Sequence, residues 1–140
     1  MNADDMARKI AEHLRSREGT GAAWNIEIEE AREGYARIAM VVRKDMLNGH
    51  AICHGGMIFA LADTAFAYAC NSRNVETVAQ NATIAFLAPG REGDRLVAEA
   101  QEAALSGRSG VYQVTVVNQK GEKIAVFQGL SRSLGGTVIN

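Results

Sequence analysis

The chain has 140 residues, with 15 Lys and Arg against 16 Asp and Glu, and a formal net charge of −1. That length predicts a single domain over 1–140, and the even charge argues against a nucleic-acid grip or a polybasic membrane anchor, since both need clustered cations. Hydrophobic residues make up 47% with a single Pro, which excludes disorder as the main state; two Cys make no disulfide framework, so a reducing cytoplasm is the expected compartment, and the charged N-terminus carries no apolar signal segment.

Residues 3–17 read as an amphipathic helix, with Met6, Ile10 and Leu14 at i, i+4 and i+8. Asn2 is a candidate cap, and Asp4 and Asp5 suit the positive end of the helix dipole. Gly19-Thr20-Gly21 is expected to end the segment. The period then changes to two: Trp24, Ile26 and Ile28 alternate with polar residues, Glu33-Gly34 makes a turn, and Ala36, Ile38, Met40 and Val42 line the next strand. A linker from Arg43 to Cys53 leads into the apolar stretch 54–71. Residues 75–87 and 94–105 read as strands separated by Pro89-Gly90. Tyr112, Val114 and Val116 mark another, and Ala125, Phe127 and Gly129 alternate along the last. Short loops between strands imply antiparallel pairing. One long apolar helix among strands implies an α+β layout, a sheet wrapped round that helix.

The charge is unevenly spread. A window of 25 residues at this composition should hold about five or six charged side chains. From Met46 to Cys70 there is one, Asp63. Around it, the run 57–70 is rich in Ala, Leu and Met, strong helix formers, and is apolar on every face. The run is short of the roughly 20 residues that cross a bilayer, so it predicts a buried helix. An ionised carboxylate there is costly unless it is paired. Two readings follow: a structural Asp held by Thr64 or Tyr68, or a chemical group.

His54-Gly55-Gly56 stands at the start of this helix. First-turn amides are unpaired and carry the positive dipole end, and glycine lets a ligand approach them, so an oxyanion or polarised carbonyl fits there. Gly55 and Asp63 are eight positions apart, about 12 Å along one helix. They cannot meet on one carbonyl within one chain, and a two-fold dimer with antiparallel helices would bring them together twice. Cys53, beside His54, reads as packing rather than as a nucleophile. His50 and His54 flank a loop without an HExxH pattern, so no metal site is expected.

The runs Met46-Leu47-Asn48-Gly49-His50, Cys53-His54-Gly55-Gly56 and Leu61 through Asn71 resemble the hotdog-fold thioesterases of the phenylacetate-degradation (PaaI) type. The likeness extends to Gly110-Val111-Tyr112, Val117-Asn118-Gln119 and Gly135-Gly136-Thr137. It implies a hotdog fold, an antiparallel sheet round a central helix, in homodimers assembling to homotetramers. It implies hydrolysis of acyl-CoA thioesters of the aryl-acetyl or hydroxyphenylacetyl kind, with no cofactor beyond the coenzyme A of the substrate. By that pattern Asp63 is general base or nucleophile, Gly55 polarises the carbonyl, and His54 and Asn48 position thioester and water. Gly56, Thr64, Asn81 and Arg108 are candidate substrate-binding residues. Asn81 stands with Gln80 and Thr83 on the strand after the helix; Arg108 stands with Arg73, Arg91 and Arg132 at element ends, suited to CoA phosphates. Leu47, Met57, Phe59, Phe66 and Tyr68 are candidates for the acyl pocket or the core. The competing function is a non-catalytic hotdog module that binds acyl-CoA or a regulatory partner. A hotdog dehydratase fits less well, because the proline-rich entrance of such enzymes is missing.

Overall fold

A computed structural model describes residues 1–140. The order is helix α1 (Ala3–Arg17), helix α2 (Gly19–Ala23), strand β1 (Glu27–Arg32), strand β2 (Tyr35–Val41), a short 3₁₀ turn at Lys44–Met46, helix α3 (Gly55–Cys70), then strands β3 (Thr77–Phe86), β4 (Arg95–Ser106), β5 (Ser109–Val117) and β6 (Lys123–Ser133). The strands form one antiparallel sheet in the order β1-β2-β4-β5-β6-β3. The sheet wraps α3, which is the expected α+β hotdog layout.

Helix α1 starts as its sequence predicts. The Asn2 side chain accepts the Asp5 N–H at 2.8 Å, and Asp5 returns the contact to the Asn2 N–H at 3.2 Å. Its end differs from the expectation. Glu18 breaks the helix, but Gly19-Thr20-Gly21 then opens α2 instead of a loop. Gly21 packs on α1 so closely that a Cβ would lie 2.8 Å from the Arg15 carbonyl oxygen. Because α2 runs to Ala23, with Trp24 as its cap, the first strand begins at Glu27 rather than at Trp24.

The alternating faces became the core. Ala36, Ile38 and Met40 of β2, Leu96, Ala98 and Ala100 of β4, Tyr112, Val114 and Val116 of β5, and Ala125 and Phe127 of β6 are buried against α3. Small residues meet across the β2–β4 pair, Ala36 opposite Ala100 and Ile38 opposite Ala98, so the helix can sit close to the sheet. Gly129 of β6 makes the closest approach: a Cβ there would lie 2.7 Å from the Phe66 ring.

Two features differ from the local reading. First, β3 and β4 are joined by the connection 87–94 but do not pair. The chain leaves α3, lays β3 at the far edge beside β6, and returns to the sheet centre as β4. Loop length identifies a neighbour only when the next strand stays local, and here it does not. Second, α3 is not covered on all sides. Gly56, Ala60, Asp63 and Ala67, at i, i+4, i+7 and i+11, form a partly open stripe with Phe59 and Thr64 beside it. The neighbouring β3 edge is open too, with Val78 and Phe86 exposed.

Gly129→Ala overfills the contact with Phe66 and should cost about 1–3 kcal/mol. Urea unfolding should show a lower midpoint with an unchanged slope.

Candidate active site

The loop before α3 is built to deliver the helix start. The Asn48 side-chain oxygen accepts the N–H groups of His50 at 2.9 Å and Ile52 at 3.4 Å, folding 48–52 into a tight turn. Leu47 and Cys53 then form a bridge. The Cys53 N–H donates to the Gly90 carbonyl at 2.7 Å, and the His54 N–H to that of Met46 at 2.8 Å. His54 is thereby fixed as the N-cap.

His54 satisfies most of the first turn. Its Nδ1 accepts the Gly56 N–H at 2.8 Å. Its carbonyl accepts those of Met57 at 2.9 Å and Ile58 at 3.3 Å. The Gly55 N–H is the first-turn donor left without a partner in the chain. Since Nδ1 accepts, the neutral imidazole carries its proton on Nε2. Gly56, a candidate for substrate contact, has its amide committed to His54, so the free amide at this helix end is that of Gly55.

Gly55 opens on a groove of about 480 Å³, lined by Asn48, Ile52, Cys53, Ile58, Phe86 and the turn through Pro89. Phe86 closes over the glycine: a Cβ at Gly55 would lie 3.0 Å from the ring. The sequence does not single out Phe86. It shows as one aromatic ahead of Pro89-Gly90, and its place above Gly55 depends on where the far-edge strand β3 lands.

Asp63 lies two turns further along the open stripe, about 12 Å from Gly55 at 1.5 Å per residue. The two hydroxyls that would make it a structural carboxylate are engaged elsewhere. Thr64 Oγ1 donates to the Ala60 carbonyl at 2.7 Å, and the Tyr68 hydroxyl donates to Glu18. Burial alone acts on Asp63, pushing its carboxyl above the ordinary aspartate value of 3.8. An unpaired, partly desolvated carboxylate is basic enough to take a proton and exposed enough to act.

The other candidates are spread out. Asn81 and Thr83 are exposed on β3, and the strand bulges at Gln80, between Ala79 and Asn81. Arg108 is exposed in the β4–β5 turn, beside a hollow that includes Cys70 at the opposite end of α3 from Gly55. Arg73 is committed to Glu33 at 2.7 Å and Glu102 at 2.6 Å. Cys53 reaches the groove, but burial pushes its thiol up to about 11, so it stays protonated at neutral pH. Phe66 and Tyr68 are core residues, and Phe59 packs on Phe127 with ring centroids 5.4 Å apart.

A sheet wrapped round one helix, with an open amide at the helix start and a bare carboxylate on its uncovered side, defines the class: a hotdog-fold thioesterase. The chain belongs to the thioesterase superfamily, whose family model matches residues 50–125. It is 49% identical over 116 residues to the acyl-coenzyme A thioesterase PaaI of Escherichia coli, with 83% of each chain covered. The solved structure of the E. coli PaaI protein from the phenylacetic acid degradation operon superposes with a TM-score of 0.95 at 43% identity, covering 97% of this chain and 99% of that one. A hypothetical thioesterase protein of Streptococcus pneumoniae solved with coenzyme A superposes with a TM-score of 0.78 at 25% identity, covering 81% of this chain and 91% of that one.

The raised value at Asp63 has a consequence for stability. The folded state binds the proton more tightly than the unfolded chain, so ionisation costs stability as pH rises from the unfolded value through the folded one. Asp63→Asn escapes that cost. Its Tm should match that of the wild type at acid pH and exceed it at neutral pH. Thermal melts across that range check this, and an Asp63→Asn chain less stable than the wild type at pH 7 contradicts an unpaired Asp63.

Proposed function

We propose that the chain hydrolyses acyl-CoA thioesters of the aryl-acetyl or hydroxylated aryl-acetyl class, at sites shared between two subunits. One observation carries this reading: a free Gly55 amide and an unpaired Asp63 lie on one helix, about 12 Å apart along its axis. Each is half of a hydrolytic site. A second copy with its α3 antiparallel to the first would set Asp63 of one chain opposite Gly55 of the other, twice. The open stripe on α3 and the uncovered β3 edge support such a homodimer, and pairing of dimers completes a homotetramer.

The chemistry follows from the two groups. Attack on a thioester carbonyl builds negative charge on its oxygen. The Gly55 N–H, at the positive end of α3, stabilises that charge. The Asp63 carboxylate takes the proton from an attacking water, or itself attacks to give an anhydride that water then opens. The coenzyme A thiol leaves in either case. The Nε2–H of His54 and the loop held by Asn48 position thioester and water beside Gly55. Arg91, Arg108 and Arg132 make no ion pair and suit the CoA phosphates. No helix is long and apolar enough to cross a membrane. Both cysteines are free thiols, which fits a reducing compartment such as the cytoplasm.

The direct test is release of free thiol from phenylacetyl-CoA, read with a thiol reagent. Hydrolysis is expected in the wild type and should fall by several orders of magnitude in Asp63→Asn. Tight acyl-CoA binding with no thiol release would make the chain a binding module instead. The kcat/KM profile should rise with pH through a midpoint above 3.8, because Asp63 acts as its carboxylate. Mixed dimers of wild-type and Asp63→Ala chains should keep one working site and about half the turnover; complete loss there contradicts shared sites. Single-turnover hydrolysis in ¹⁸O water tests the carboxylate route: label entering the Asp63 side chain marks an anhydride that water opens at the Asp63 carbonyl.

A further inference from the structure

The largest cavity in the chain, about 590 Å³, is distinct from the groove at Gly55. Its walls are the end of α1, Ala67 on the open stripe of α3, the start of β3 and the C-terminal tail at Thr137-Val138. Ala67 is one turn beyond Asp63, about 6 Å along the axis and on the same helix face. A carbonyl held against Asp63 thus has this cavity next to it, one methylene and a ring away. The lining is mixed, with Leu14, Ala67, Val78 and Val138 as its apolar part. Its charged residues are the carboxylates Glu18 and Glu76 against the single guanidinium of Arg17, and a lining with an excess of carboxylates does not attract phosphates.

The polar groups of the wall differ in what they have left to offer. The Asn71 side chain is fully used: Nδ2 donates to the carbonyls of Ala67 and Thr77, and Oδ1 accepts the Thr77 N–H at 2.9 Å. The side chains of Arg17, Glu76 and Thr137 are unpartnered but exposed, whereas the His13 imidazole is half-buried in the wall with no hydrogen-bond partner in the chain. The tail wall is held in place. Asn74, with φ +62°, accepts the N–H groups of Val138 at 2.9 Å and Ile139 at 2.8 Å, and donates to the Ile139 carbonyl at 3.0 Å.

We propose that this cavity is the acyl pocket, that His13 hydrogen-bonds a polar substituent at the far end of a ring-sized acyl group, and that the tail clipped by Asn74 sets how long that group can be. The proposal rests on the thioesterase reading above and adds the part of the chain that selects the acyl group. Neither α1 nor the tail belongs to the chemical centre, so both act on specificity.

Thiol release is measured with 4-hydroxyphenylacetyl-CoA, phenylacetyl-CoA and acetyl-CoA as probes. In His13→Phe, the kcat/KM ratio of the hydroxylated to the plain aryl-acetyl substrate should fall by about tenfold, the loss of one neutral hydrogen bond. In Val138→Trp, which fills the cavity from the tail side, the ratio of phenylacetyl-CoA to acetyl-CoA should fall by at least about tenfold. A first ratio unmoved removes His13 from the pocket. A second ratio unmoved removes the tail wall. If both stay put while the wild type hydrolyses thioesters, the cavity assignment fails and the thioesterase reading stands. A wild type that hydrolyses none of the probes overturns both.

Discussion

A helix begins with amides that have no intrahelical partner, and buried helices must satisfy them or leave them for something else. In α3 the choice is made by His54. Its Nδ1 takes the Gly56 amide and its carbonyl takes Met57 and Ile58, so the Gly55 amide alone remains open. The same bond orients the imidazole, fixes its tautomer and starts the helix that forms the centre of the fold. The loop held by Asn48 brings His54 to that position, and the small residues on β2 and β4 let the helix pack there. A single cap therefore links the packing of the core to the placement of the one unpartnered amide at the helix start.

Much of this was legible beforehand. The limits of α1 and α3, the Asn2 cap, the alternating faces of the strands and the isolation of Asp63 all depend on residues near one another in sequence, and local periodicity carries that kind of information. The helical separation of Gly55 and Asp63 followed from rise per residue alone. Other features did not follow, for physical reasons that differ case by case. The pairing of β3 with β6 joins residues far apart in the chain, such as Ala82 and Gly129, and no local pattern specifies which edge a strand will reach. Phe86 over Gly55 depends on that same pairing. The α2 turn was hidden because three small residues in a row read as a breaker, whereas the approach of Gly21 to Arg15 is a tertiary fact.

The two hydroxyls near Asp63 show how a bland explanation can be removed by connectivity. Thr64 and Tyr68 were the obvious donors for a structural carboxylate. Thr64 bonds back to its own helix, as hydroxyls at that spacing commonly do, and Tyr68 reaches across to Glu18, tying α3 to the segment after α1. That second contact also forms part of the boundary of the large cavity. One tyrosine thus withholds a donor from Asp63 and helps hold the N-terminal helix against the central one.

The separation of Gly55 and Asp63 along α3 has a consequence for how such a gene can change. Under the proposed shared site, each chain carries both halves of the chemistry but uses them in different centres, so a duplicated gene can divide the labour. One copy can lose its carboxylate and the other its open amide, and a mixed pair still assembles one complete centre beside one dead one. The dead centre is then released from the demands of hydrolysis while keeping its shape. That leaves a surface on which ligand sensing or a new partner can evolve without disturbing the reaction next to it.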